Sequence, residues 1–144
     1  MSRRYVASWL PVILWMAVIF TMSSWSSPPS LPESLMDLLM KKAAHITEYA
    51  ILAGLLWWAL GGGTERRVKL AALAVAVFYA VSDEFHQSFT PGRSPSPVDV
   101  LIDTVGAASA LVILAAVQLR NRGASGSARP ASNRQEAPPS PGRS

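Results

Sequence analysis

Three or four apolar runs constrain this chain more than any other feature, because each approaches the ~18–20 residues needed to cross ~30 Å of hydrocarbon. They cover 5–22, about 43–60, 68–89 and about 98–119. A chain of 144 residues allows one domain, and so much continuous apolar helix is too much for one small soluble core. The fold expected is therefore an all-α integral membrane protein, a bundle of four transmembrane helices. The absence of cysteine excludes disulfides and thiolate metal sites. A net charge of +4 would suit nucleic acid if the arginines were clustered. They lie instead at helix ends and near the C-terminus, which is a topology signal, so no nucleic-acid partner is expected.

The chain divides into a first transmembrane helix (1–22), an extracytoplasmic loop (23–42), a three-helix core (43–119) and a tail (120–144). The first run competes with a cleaved signal peptide, but it is longer than the usual 7–15-residue core of such signals. In the loop, Trp25 suits interface depth. Ser30 and Glu33 have capping-box spacing, with Pro32 in the first turn. Leu31, Leu35, Leu38 and Leu39 then share one helical face. These features predict a short interfacial helix before the second span, or an extension of that span. Trp57 and Trp58 mark the far interface, and the glycines at 61–63 end the helix. Ala71, Ala72, Ala74 and Ala76 in the third run, and the stripe Asp99, Asp103, Gly106, Ala110 in the fourth, suit close helix packing. From Arg120 onward the composition has little to bury and predicts disorder.

Ten Lys/Arg lie in the N-terminus, the 61–69 connection and the tail, against three (Lys41, Lys42 and Arg93) on the other side. The positive-inside rule then puts both termini in the cytoplasm of a multi-pass protein of a bacterial-type cytoplasmic membrane. That topology carries His45 and Glu48, then Asp83, Glu84, His86 and Gln87, then Arg93, Asp99 and Asp103, to one outer slab. Glu48 and Asp103 would sit roughly 8 Å inside their helix ends. Lys41, His45 and Glu48 follow i, i+4, i+7 and share a stripe. Each group also has a structural reading. Lys41 and Lys42 snorkel at interfaces, Asp99 suits an N-cap, and His45 with Glu48 suits a helix-locking hydrogen bond. One of the adjacent Asp83 and Glu84 must point away from the other. Ionisable groups this numerous at one end of a small bundle nevertheless point to a site.

The motifs Lys42-x-x-His45-x-x-Glu48-Tyr49, Ser82-Asp83-Glu84-Phe85-His86-Gln87-x-Phe89-x-Pro91-Gly92-Arg93 and Asp99-x-x-x-Asp103-x-x-Gly106 resemble the VanZ-like family over about residues 42–110. That resemblance implies a small membrane protein linked to the cell envelope and to glycopeptide (teicoplanin) tolerance. It departs from the family at Asp103, where many members carry asparagine, and at Ala110, where a second glycine often follows Gly106.

The function expected is binding of, or action on, an envelope lipid head group or a glycopeptide-related ligand at an outer-face pocket. His45, Glu48, Asp83, Glu84 and His86 are the acid–base candidates. Lys42, Gln87, Arg93, Asp99 and Asp103 are the binding candidates, with Arg93 lifted over the acids by a Pro91-Gly92 type II turn. His45, Glu48, Glu84, His86 and Asp103 are suitable metal ligands, but their spacing matches no metal signature. No Gly-x-Ser-x-Gly nucleophile elbow is present, and no reaction follows from the residues alone. A non-catalytic membrane partner with a structural polar network, and a small proton-linked transporter, are the competing functions.

Overall fold

The computed structural model describes residues 3–24, 34–91, 93 and 96–127. They form four helices and, among the described residues, no strand: α1 (Arg3–Ser23), α2 (Leu35–Ala59), α3 (Arg66–Gln87) and α4 (Pro97–Ser127). The central element is α2, which packs on all three others, whereas α1 only grazes α3 and does not meet α4. Side-chain pairs give the directions. Lys42 bonds Asp99 near the start of both helices and Gln118 bonds the Gly62 carbonyl at the far end, so α2 and α4 run parallel. Tyr79 bonds the Met16 carbonyl and His86 bonds Ser24, so α1 and α3 run parallel. Trp15 donates to the Glu48 carbonyl while Ser23 shares a cavity with Lys41, so the two pairs oppose each other. The order is up, down, up, down.

Local chemistry sets the helix ends. The Ser34 hydroxyl accepts from the Asp37 N–H and the Asp37 carboxylate accepts from the Ser34 N–H, a reciprocal cap on α2. Hydrogen bonds from the Ser34 hydroxyl and backbone hold the Asp37 carboxyl below its ordinary pKa. At the other end Gly61 and Gly62 take φ of 102° and 61°, so the chain can leave the helix over the Trp57 ring. Ser96 accepts from the Val98 N–H, and Pro97 occupies the first position of α4, where its missing N–H costs nothing.

Two boundaries differ from the sequence reading. There is no separate interfacial helix among the described residues: Leu35, Leu38 and Leu39 belong to the first turns of one continuous α2, because the Ser34–Asp37 cap starts it there. The capping box expected at Ser30, with Trp25 and Leu31, lies outside the described residues. At the other end, α4 continues past Leu119 to Ser127. Gln118 on the Gly62 carbonyl and Arg122 on the Thr64 hydroxyl tie that stretch to the α2–α3 connection. The tail beyond Ser127 lies outside the described residues.

The core is built on α2, which buries Tyr49, Leu52, Ala53 and Leu56. Small residues let the neighbours come close. Ala72, Ala76 and Ala80 form the buried stripe of α3, while Ala71 and Ala74 face outward. On α4, Gly106 lies against the α2 backbone, where an added Cβ would run into the Ile46 carbonyl oxygen and come within 3.0 Å of its Cα. The outside of the bundle is apolar, with Phe78, Phe85 and Leu119 about 70% exposed or more (74%, 68%, 70%). Among the described residues one helix, over Pro97–Ala124, is long and apolar enough to cross a membrane, and Ala7–Ser23 is a shorter apolar stretch. Charges in the first half of α2 and at both ends of α3 keep those helices below the same standard.

Gly106→Ala should destabilise the fold by about 1–3 kcal/mol through overpacking at the α2–α4 contact. Gly54→Ala, with nothing within 4 Å of the added Cβ, should instead stabilise it by roughly 0.5–1 kcal/mol through helix propensity. Thermal unfolding of both variants in detergent checks the opposite signs.

Candidate functional site

Because α2 and α4 start at the end where α1 and α3 finish, their polar turns collect there. Between α1, α2 and α3 lies a cavity of about 150 Å³, lined by Met22, Ser23, Lys41, Ala44, His45, Glu48, Asp83, Gln87 and Arg93. The stripe Lys41, His45, Glu48 supplies one wall, as its i, i+4, i+7 spacing requires. Asp83 and Gln87, one turn apart on α3, supply another, and the Gln87 side-chain N–H donates to Asp83 Oδ2 at 3.0 Å. Arg93 closes the third side from the loop. Its Nη1 lies 3.4 Å from Gln87 Oε1 and its Nη2 lies 3.3 Å from the Met22 carbonyl oxygen. The backbone turn is hydrogen-bonded from the Arg93 N–H to the Thr90 carbonyl. Gly92 lies outside the described residues, so the type II turn expected there is not described.

Behind this wall His45 meets Asp103, with His45 Nδ1 and Asp103 Oδ1 3.0 Å apart. Asp103 is 1% exposed, and a carboxylate so buried requires a partner. One turn further out, Lys42 pairs with Asp99. Two of the lining residues each carry a buried oxygen with no hydrogen-bond partner among the described residues: Asp83 Oδ1 and Ser23 Oγ. The two residues are 4% and 5% exposed.

Of the residues expected in one site, His45, Glu48, Asp83, Gln87 and Arg93 come together on the cavity, and Asp103 stands directly behind His45. The other four stand apart from it. Glu84 turns toward α4, accepts the Ser96 N–H, and borders an apolar groove between α3 and α4. His86 stacks on Phe20 at 4.2 Å between ring centroids and bonds Ser24 through Nε2 at 3.0 Å. Lys42 and Asp99 occupy each other, and Ser96, not Asp99, caps α4. Among the described residues no three His, Asp or Glu side chains gather in a group able to hold a metal ion.

Lys41 lines the cavity and Lys42 does not. The stripe with His45 and Glu48 was the signal. Ser23 carried no signal of its own. Trp15 and Tyr79 join α1 to α2 and α3 through carbonyl acceptors at 2.9 and 2.7 Å. Polar donors inside apolar runs announce that they need acceptors, but not which ones.

An apolar-surfaced four-helix bundle that keeps its buried charge at one end is the architecture of a small membrane protein. A model of the VanZ/LLP1 family matches residues 8–118, and the chain belongs to that family. Together with the one membrane-length helix, this points to a membrane protein. No match is found among curated proteins or solved structures.

His45→Leu should destabilise the bundle by roughly 3–5 kcal/mol, since it strands the Asp103 carboxylate. The double variant His45→Leu/Asp103→Leu should recover most of that loss. Unfolding of the set in detergent measures the coupling, and additive losses would mean that the pair is not a unit.

Proposed function

We propose that this chain is a four-span protein of the cytoplasmic membrane, with both termini inside, whose outer-end cavity binds the head group of an envelope lipid. In this reading the binding contributes to the envelope maintenance and glycopeptide tolerance with which its family is associated. The observation that carries it is the cavity itself. Six polar side chains from two helices and a loop (Lys41, His45, Glu48, Asp83, Gln87 and Arg93) converge on one space, where a purely structural network would close up around its hydrogen bonds. Supporting the four spans, even the 21-residue α1 is about 32 Å long at 1.5 Å per residue, enough for the hydrocarbon core. The alternating helix directions and the arginine asymmetry agree with inside termini.

In the proposed roles, Lys41 and Arg93 hold the head group's anionic part and His45 is oriented by Asp103. Glu48, one turn along the same wall as His45, and Asp83 on the α3 wall are the carboxylates for acid–base exchange, should chemistry follow binding. Lys42, Asp99, Glu84 and His86 hold the frame. A second reading is favoured by that frame: Lys42–Asp99, His45–Asp103, Gln87–Asp83 and Arg93–Gln87 are all satisfied pairs, as a non-catalytic structural partner would need.

The topology is tested on the native cysteine-free background. Cysteines at Met36 and Pro91 should react with an impermeant thiol reagent from outside intact cells, and cysteines at Glu65 and Ala124 should not. Labelling of the opposite pair would put the cavity on the cytoplasmic side.

Arg93 separates the two functional readings. Lysine cannot reproduce the planar fork that spans Gln87, the Met22 carbonyl and an anion. Arg93→Lys and Arg93→Ala should both fold and both lose teicoplanin tolerance in an expressing host, with folded yield checked in detergent. A fully tolerant lysine variant would leave the structural partner as the function.

A further inference from the structure

The end of the bundle opposite the cavity carries a second concentration of charge, and it is of one sign. Arg66, Arg67 and Lys69 lie in the first turn of α3, and Arg120 and Arg122 in the part of α4 that runs on past Leu119. The Gln118 bond to the Gly62 carbonyl holds the two groups side by side. Among the described residues Glu65 is the one acid at this end, and Arg67 takes it in an exposed pair. The other four positive charges are offset by no described carboxylate there.

Two of the four are brought together on one residue. Lys69 Nζ donates to the Thr64 carbonyl oxygen at 3.3 Å, and Arg122 Nη2 donates to the Thr64 hydroxyl at 3.0 Å. An ammonium and a guanidinium from different helices thus share a neutral residue, where like charges repel unless an anion joins them. Each also carries more donors than that one bond uses.

The surroundings narrow the class of anion. Leu70 follows Lys69 on α3 and Leu119 precedes Arg120 on α4, so both leucines lie on the membrane side of the charges, 52% and 70% exposed. Trp58, 50% exposed, stands at the same end of α2, and an indole favours the boundary between hydrocarbon and water. The cations therefore form a rim directly against an apolar surface. A nucleic acid or an acidic peptide would meet the charges but not the leucines, whereas a phospholipid meets both.

We infer that this rim binds an anionic glycerophospholipid, with its phosphate between Lys69 and Arg122 and its acyl chains running back along Leu70 and Leu119. A zwitterionic lipid brings its own cation to the rim and gains less there. The site is separate from the cavity and does not depend on what the cavity takes.

The test uses the full chain in detergent micelles with phosphatidylcholine, to which phosphatidylglycerol or inorganic phosphate is added. Melting temperature and titrated lipid association are the readouts. Phosphatidylglycerol should raise the melting temperature at low salt, and inorganic phosphate, which cannot use the leucines, should not. At about 1 M salt, where the Debye length is ~3 Å, most of the preference should disappear. A Lys or Arg near an anionic surface is worth roughly fivefold in association, so Lys69→Gln/Arg122→Gln should weaken phosphatidylglycerol binding about tenfold or more. Lys69→Arg/Arg122→Lys keeps the charges and should keep the binding. Should the glutamine pair fail to fold, Arg66→Gln/Arg120→Gln removes two exposed charges of the same rim and carries the same expectation. Equal melting shifts with phosphatidylcholine or inorganic phosphate, or unchanged phosphatidylglycerol association in the glutamine variants, would overturn the assignment. So would a loss in the charge-keeping pair as large as that in the glutamine pair.

Discussion

Asp103 is the residue on which the arrangement depends, because a carboxylate buried in a protein interior is tolerated only when a donor comes to it. The donor is His45, on a different helix, and it reaches Asp103 only because the two helices nearly touch. Gly106, one turn along α4, permits that approach by offering no side chain to the Ile46 backbone. Lys42 with Asp99, His45 with Asp103 and Ile46 with Gly106 are successive rungs of one seam. His45 belongs to that seam through Nδ1 and also lines the cavity. A single imidazole therefore couples the packing of α2 on α4 to the geometry of the polar pocket, and neither can shift without the other.

What was legible in the sequence followed from periodicity. The Lys41–His45–Glu48 wall, the small-residue approach of α4 and the arrival of several polar turns at one end all follow from 3.6 residues per turn and from alternating helix direction. What was not legible was the choice between neighbours. Adjacent residues on a helix point about 100° apart, so one of Asp83 and Glu84 had to leave the site. Asp83 stayed because Gln87, four residues on, shares its face, and Glu84 went to the Ser96 N–H, an acceptor role that only the folded loop creates. The same angle divided Lys41 from Lys42, and Asp99 decided between them. His86 was drawn to α1 by Phe20 and Ser24, a contact between residues 62 or more apart that no local pattern encodes.

The same polar turns explain why α2 and α3, unlike α4, lack the composition of a membrane crossing among the described residues. In α3 the basic residues of the first turn and the carboxylates of the last leave 70–82 as its uncharged middle, and α2 carries Lys41, Lys42, His45 and Glu48 in its first half. Hydropathy counts those side chains as though each faced its surroundings alone. Asp83, Glu84 and Asp103 are all below 9% exposed, so they face the bundle, and the outward faces of the same turns carry Phe85 and Val105 (68% and 52% exposed). In such a helix the cost of burying a charge falls on the helix–helix contact and not on the surrounding medium.

That distribution of cost also separates the groups that hold the bundle from those that line its cavity. Glu84, Lys42, Asp99 and Asp103 each have a fixed partner on another segment, so their desolvation is offset inside the protein. Asp83 is different, since one oxygen takes the Gln87 amide while the other is buried with no hydrogen-bond partner among the described residues. If the cluster existed only to hold the helices, an asparagine or glutamine at position 83 would bond Gln87 as well without confining a negative charge. A carboxylate is the more expensive choice at that depth. Its second oxygen is therefore the part of the cluster that helix packing does not account for, on a residue that lines the cavity.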